Sequence, residues 1–177
     1  MRVFVTGGTG HSGSYTIPDL IAAGHEVTGL ARSDTAAAAV VTKYGDALDG
    51  KVIVDITNPI APDSKGFVTP DGSSGAQEIA KAAPAGTHVV KAFNTLFANV
   101  LAAGSAEGRP LDVFIAGDDA QAKARVSAFI ESLGLRPMDA GQLPMARALE
   151  NVALLQLGLV AHSVKHTNFV LGVNVLS

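Results

Sequence analysis

The feature that most constrains this chain is a run of glycines directly behind a short apolar strand. Val3, Phe4 and Val5 form the strand, Thr6 ends it, and Gly7, Gly8, Gly10 and Gly13 follow. Gly8-Thr9-Gly10-His11-Ser12-Gly13 fits G-x-G-x-x-G, the turn that lets a dinucleotide pyrophosphate rest on a helix N-terminus. One glycine allows the tight turn, one lets phosphate approach the backbone, and one lets the helix pack close to the strand. The setting strengthens the motif. Ser14 to Ala23 reads as a helix interrupted by Pro18, Gly24 stops it, and Glu26 to Ala31 reads as a second strand. That is a complete strand–helix–strand unit within about 30 residues.

The second strand ends at Arg32-Ser33, where the residue that reads the ribose 2′ position belongs, roughly 20 residues past the glycines. An acidic residue there favours NAD. Arg32 favours the 2′-phosphate of NADP. Asp34 reads as the cap of a helix from Thr35 to Tyr44.

Strand and helix signals then alternate to the end of the chain. Lys51 to Thr57 reads as a third strand halting at Asn58-Pro59, and residues 58 to 73 as a loop. Ser74 and Gln77 form a capping box for a helix ending at Ala83. Thr87 to Phe93 reads as a fourth strand, and Asn94 as the cap of a helix carrying Phe97, Val100 and Leu101. Leu111 to Ala116 is a fifth strand. Asp118-Asp119 opens an amphipathic helix with Ala122, Val126, Phe129, Ile130 and Leu133 on one side. Arg136 to Ala140 is a short sixth strand. Pro144 opens a last helix of about 20 residues, apolar nearly all round from Val152 to Ala161 and so expected to be buried on several sides. The alternation specifies one α/β domain over residues 1–177: Rossmann-like, doubly wound, with a mostly parallel sheet of about six strands and helices on both faces. Ligands of such sheets sit beyond the carboxyl ends of the strands. The positions to inspect are Gly7 to Gly13, Arg32-Ser33, Asn58-Pro59, Asn94-Thr95 and Gly117-Asp118.

Composition excludes several function classes. The 177 residues contain no cysteine, so thiolate catalysis, disulfides and cysteine metal sites are out. A net charge of −3 gives no reason to expect a nucleic-acid partner. No run of about 18 apolar residues suggests a membrane span. The first strand starts at residue 2, which leaves no room for a signal peptide, so a cytoplasmic location is expected. Charged residues are only 16% against 47% hydrophobic ones, which points to apolar surface covered by a second copy. The last helix and tail, about residues 143–177, are the expected interface of a homodimer. His162 and His166 have metal-ligand spacing on a helix, but no third ligand accompanies them, so no metal site is expected. The Tyr-x-x-x-Lys pair of short-chain reductases is absent, because Lys43 and Tyr44 are adjacent.

Two stretches resemble known families. VFVTGGTGHSG and LIAAGHEVTGLARSD, in the first 40 or so residues, resemble extended and atypical short-chain dehydrogenase/reductases. Tyr44 to Ser177 resembles the NADP oxidoreductases that use the deazaflavin coenzyme F420, through YGDALDGKVIVDITNP, VVKAFNTLFANVLA, DVFIAGDD and GLRPMDAGQL. The resemblance implies NADP(H) on Thr6, Gly7, Gly8, Thr9, Gly10, His11, Ser12 and Gly13, with Arg32 and Ser33 at the 2′-phosphate. It implies F420 or a flavin-like ring beside Asn58, Pro59, Ala92, Phe93, Asn94 and Thr95. Hydride would pass directly between the rings, so no acid–base catalytic residue is expected, and the protein places the rings and excludes water. The chain departs from that family in one respect. That family normally has two further strands between the second strand and KVIVDIT, and here only Asp34 to Gly50 fills the interval. A slot left open beside the first strand would strand buried N–H and C=O groups at about 1–3 kcal/mol each. The expected remedy is direct pairing of the third strand with the first, in the order 2-1-3-4.

Overall fold

The computed structural model describes residues 2–6, 26–30, 48–106, 108–174 and 176. The glycine turn Gly7 to Gly13, Arg32, Ser33 and the helices expected around Pro18 and after Asp34 lie outside the described residues. The strands are β1 (Arg2–Thr6), β2 (Glu26–Leu30), β3 (Val52–Asp55), β4 (His88–Lys91), β5 (Ser105–Ala106), β6 (Arg109–Pro110), β7 (Asp112–Gly117) and β8 (Arg136–Asp139). The helices are α1 (Gly75–Ala82), α2 (Ala98–Ala103), α3 (Ala120–Ser132) and α4 (Ala146–Leu159). β2-β1-β3-β4-β7-β8 form one sheet, and β5 with β6 forms a separate two-stranded ribbon.

β2, β1, β3 and β4 are parallel neighbours. β3 lies directly beside β1, with Phe4 opposite Ile53 and Thr6 opposite Asp55. The gap left by the shortened interval is therefore closed within the chain, as the backbone hydrogen-bond requirement demands.

β7 departs from the parallel expectation. It runs antiparallel to β4, with Lys91 opposite Ala116, and β8 runs parallel to β7. The reason lies in the connection. A parallel crossover needs an element long enough to carry the chain back past the strand. α2 has only six residues, about 9 Å of rise. The chain thus re-enters the sheet from the end at which it left. β7 consequently points its carboxyl end away from Asn58 and Asn94, with Gly117 opposite Val90 inside β4. Asp118 instead accepts from Leu143 N at 2.8 Å, and Asp119 caps α3 through Ala122 N at 2.7 Å.

The alternation of β3 and β4 builds two apolar layers. Val54 and Val90 join Val113, Ile115, Val126, Phe129 and Ile130 on the α3 side. Ile53 and Val89 join Ala76, Ile79, Leu143 and Ala146 on the α1 and α4 side. Ser74 caps α1 by accepting from Gln77 N at 3.2 Å, as the capping box requires.

Three local expectations are corrected. Asn94 does not cap α2: Phe97 is the N-cap and makes no side-chain cap bond. The last helix is α4 preceded by a 3-10 turn (Leu143–Met145) and followed by a π turn (Val160–Val164). Lys165 in the left-handed region, φ +65°, ends it, so His166 lies beyond the helix and His162 is exposed. α4 is buried along one stripe only, Ala146, Leu149, Glu150, Ala153 and Gln156. Leu155 is 55% exposed and Leu157 is 37% exposed. The polar Glu150 and Gln156 turn inward, where Leu155 and Leu157 do not, because they find partners there.

Beyond Lys165 the tail folds back on its own chain. Phe169 packs edge-on to Phe97, and Val170 joins the α3-side core. Asp112 accepts from Val173 N at 2.7 Å, and Arg136 Nη2 donates to Val173 O at 2.7 Å. The Arg136 guanidinium holds the Asp112 carboxyl below the usual carboxylate range.

Candidate functional site

The carboxyl ends of β3 and β4 meet at a pair of asparagines. Asn58 Nδ2 donates to Asn94 O at 2.8 Å, and Asn94 Nδ2 donates to Asn58 Oδ1 at 2.9 Å and to Leu149 O at 3.0 Å. They border a cavity of about 410 Å³ lined also by Ile56, Ile60, Phe93, Phe97, Gln156 and Leu157. Pro59, Ala92 and Thr95 lie beside the lining residues in the chain but are buried.

Two features mark this place as more than a loop junction. Phe93 has φ +62°, a left-handed backbone that costs a bulky residue about 1–3 kcal/mol and tends to occur where function demands it. Asn94 Oδ1 and Thr95 Oγ1 are buried with no hydrogen-bond partner. An unpaired buried acceptor costs about 1–3 kcal/mol, which a ligand donor would recover.

Behind the asparagines lies a cluster that sequence reasoning missed. Lys91, Asp55 and Glu150 are all 0% exposed. Lys91 Nζ donates to Asp55 Oδ2 at 2.8 Å, to Glu150 Oε1 at 2.9 Å and to Thr57 O at 2.5 Å. Asp55 Oδ1 accepts from Thr57 N and Thr57 Oγ1. Glu150 Oε1 also accepts from Gly75 N, at the start of α1, at 2.9 Å. A Cβ at Gly75 would lie 3.3 Å from both Glu150 Oε1 and Thr57 Oγ1, so a glycine there keeps room for the cluster. Burial pulls the Lys91 ammonium down, but Asp55 and Glu150 together hold it above its ordinary value. Burial pushes the Glu150 carboxyl up, and Lys91 only partly offsets this. Glu150 Oε2 has no hydrogen-bond partner, and the Arg147 guanidinium stands 3.9 Å from it. Arg147 is engaged elsewhere, donating to Thr69 Oγ1 and lying 3.9 Å over the Phe67 ring.

A larger cavity, about 870 Å³, opens between the tail and the start of β7. Of its polar groups, Asp112, Arg136 and Val173 are already bonded to one another, and none of its lining residues comes from the carboxyl ends of β3 and β4, where ligands of such sheets sit. The smaller cavity is therefore the candidate site. Among the described residues no cluster of His, Asp and Glu could hold a metal ion, and no helix is long and apolar enough to cross a membrane.

Comparison with known proteins supports the architecture. The NAD dependent epimerase/dehydratase family matches residues 3–64, about a third of the chain. A chain assigned as an F420-dependent NADP-reductase from Arthrobacter sp. FB24 superposes with a TM-score of 0.77, 26% identity, and coverage of 96% of this chain and 97% of that one. The fold is Rossmann-like. Plasmodium falciparum pyrroline carboxylate reductase, solved with NADP bound, shares the fold at 12% identity and TM-score 0.55, covering 93% of this chain and 69% of that one. The metalloreductase STEAP3 of Rattus norvegicus is 38% identical over 109 residues, 62% of this chain. The match spans only 21% of that protein.

Proposed function

We propose that this chain is an NADP-dependent oxidoreductase that exchanges hydride with a deazaflavin such as F420 or a flavin-like acceptor. The observation that carries the reading is the cavity at the ends of β3 and β4, beside the unpaired Asn94 Oδ1. An acceptor-only oxygen there suits a ring N–H or carboxamide N–H of the occupant. In this reading the cofactor lies on Gly8 to Gly13, and Arg32 and Ser33 hold its 2′-phosphate. NADPH supplies the hydride. The chain's own contribution is placement: Asn58 and Asn94 orient a ring edge, and Ile56, Ile60, Phe93 and Phe97 keep water away.

Arg32 is expected to give preference for NADP(H) over NAD(H), and Arg32→Ala to weaken NADP(H) binding by about 1–3 kcal/mol, as for bonds to charged groups. Titration of both cofactors against both proteins checks this. Equal affinities in the wild type would refute the assignment.

A second reading is a non-catalytic NADP(H)-binding module. It is favoured by the direct β1–β3 pairing, which moves the strand ends relative to the longer deazaflavin family. Deazaflavin absorbance followed with NADPH and protein separates the two: a rate above the protein-free control marks the enzyme.

The exposed Leu155 of α4 fits a twofold dimer in which a second copy covers that side of the helix. Sedimentation at micromolar concentration is expected to show a dimer, and a monomer would remove the idea.

A further inference from the structure

A lysine ammonium has three donors, and all three of Lys91's are used inside the protein. A buried ion cluster of this kind is poor value as a source of stability, because desolvation offsets most of the attraction. What it supplies is position. One bond reaches Thr57 O, and the next residue, Asn58, is half of the asparagine pair. Another reaches Glu150, and the residue before it, Leu149, accepts from Asn94 Nδ2. Two turns further along α4, Gln156 Nε2 donates to Thr95 O at 2.9 Å. Two chains of bonds, one through the β3 end and one through α4, thus leave a single ammonium and meet again at Asn58 and Asn94.

We infer that Lys91 is a positioning residue for the cavity, fixing the β3 end and α4 against each other so that the Asn58–Asn94 pair presents a set geometry to the occupant. Lys91 lines no part of the cavity itself and acts through Thr57 and Glu150. The inference rests on the acceptor reading of the cavity.

The test uses the full chain and two variants. Lys91→Met removes the ammonium but leaves two buried carboxyls. The triple variant Asp55→Asn, Lys91→Met, Glu150→Gln leaves no charge in the cluster and nearly keeps its volume, so it avoids the two unpaired carboxyls that destabilise the single variant. Binding of F420 and of NADPH is followed by fluorescence, and exchange of the Asn58 and Asn94 side-chain amide protons by NMR. The triple variant should bind NADPH as the wild type does, bind F420 about tenfold more weakly, as for one misplaced hydrogen bond, and lose amide protection. Wild-type F420 affinity in that variant overturns the inference. If the wild type binds no F420, the acceptor reading fails, and amide exchange alone decides: lost protection supports the positioning role, and retained protection overturns it.

Discussion

Replacing Lys91 by methionine is expected to destabilise the fold by about 3–5 kcal/mol, the usual cost of removing one partner from a buried ion pair. Total stabilities of about 5–15 kcal/mol make that a loss of about a fifth or more. Methionine fills the space but leaves Asp55 and Glu150 in the same dry layer, both 0% exposed. The loss should depend on pH, with a definite sign. Burial raises the Glu150 carboxyl even with Lys91 present. A carboxyl raised in the folded state stabilises it below the unfolded pKa, here near 4.5, and that contribution is lost as pH rises through the folded value. Without Lys91 the cluster lacks its cation, so Glu150 binds its proton more tightly still. Denaturant midpoints should therefore show a larger deficit at about pH 7 than at about pH 5. An equal deficit at both, or none, would show that the cluster does not carry buried charge.

The second large effect concerns turnover. NADPH is expected to bind, while F420 reduction should run at least about a hundredfold slower than in a full-length member of the deazaflavin family, since an error of 1 Å can already cost that much. The reason is the register of β3. In the longer family, as the resemblance implies, another strand stands between the first strand and KVIVDIT. Here Ile53 lies directly opposite Phe4. If that family's other strands keep their places, the ends that carry Asn58 and Asn94 would stand about one strand spacing, 4.7–4.9 Å, closer to β1 than there. Stopped-flow absorbance with F420 and NADPH measures the rate. Turnover matching the longer enzyme would mean that the two rings adopt a workable geometry despite the shift.

Much of this was legible along the chain, because the signals were local. The strand of Val3 to Val5 needs only its own apolar residues. Ser74 meets Gln77 N within one turn, and Asp119 meets Ala122 N in the same way. Ala122, Val126, Phe129 and Ile130 share a helix face by spacing alone, and all four are buried. The pairing of β3 with β1 was legible through a rule about unpaired backbone groups, not through any single residue. The asparagines were legible as strand-end residues, and the tertiary structure joined them to each other and to Leu149.

Other features had no local signal. α2 is too short for a crossover, and only the return of the chain to the sheet made β7 antiparallel and pointed its carboxyl end away from Asn58 and Asn94. No residue near Lys91 or Glu150 in the chain marks either one as buried. They are buried because Lys91 meets a carboxylate 36 residues earlier in the chain and another 59 residues later. For α4 the pattern of leucines suggested burial on several sides, whereas Glu150 and Gln156 occupy the inner stripe and Leu155 faces out. Hydrophobic periodicity is set by residues within a turn or two of each other, so the chain alone determined where its strands and helices form. A buried charge is tolerated only where its partner waits, and the partner's place was decided by the packed sheet.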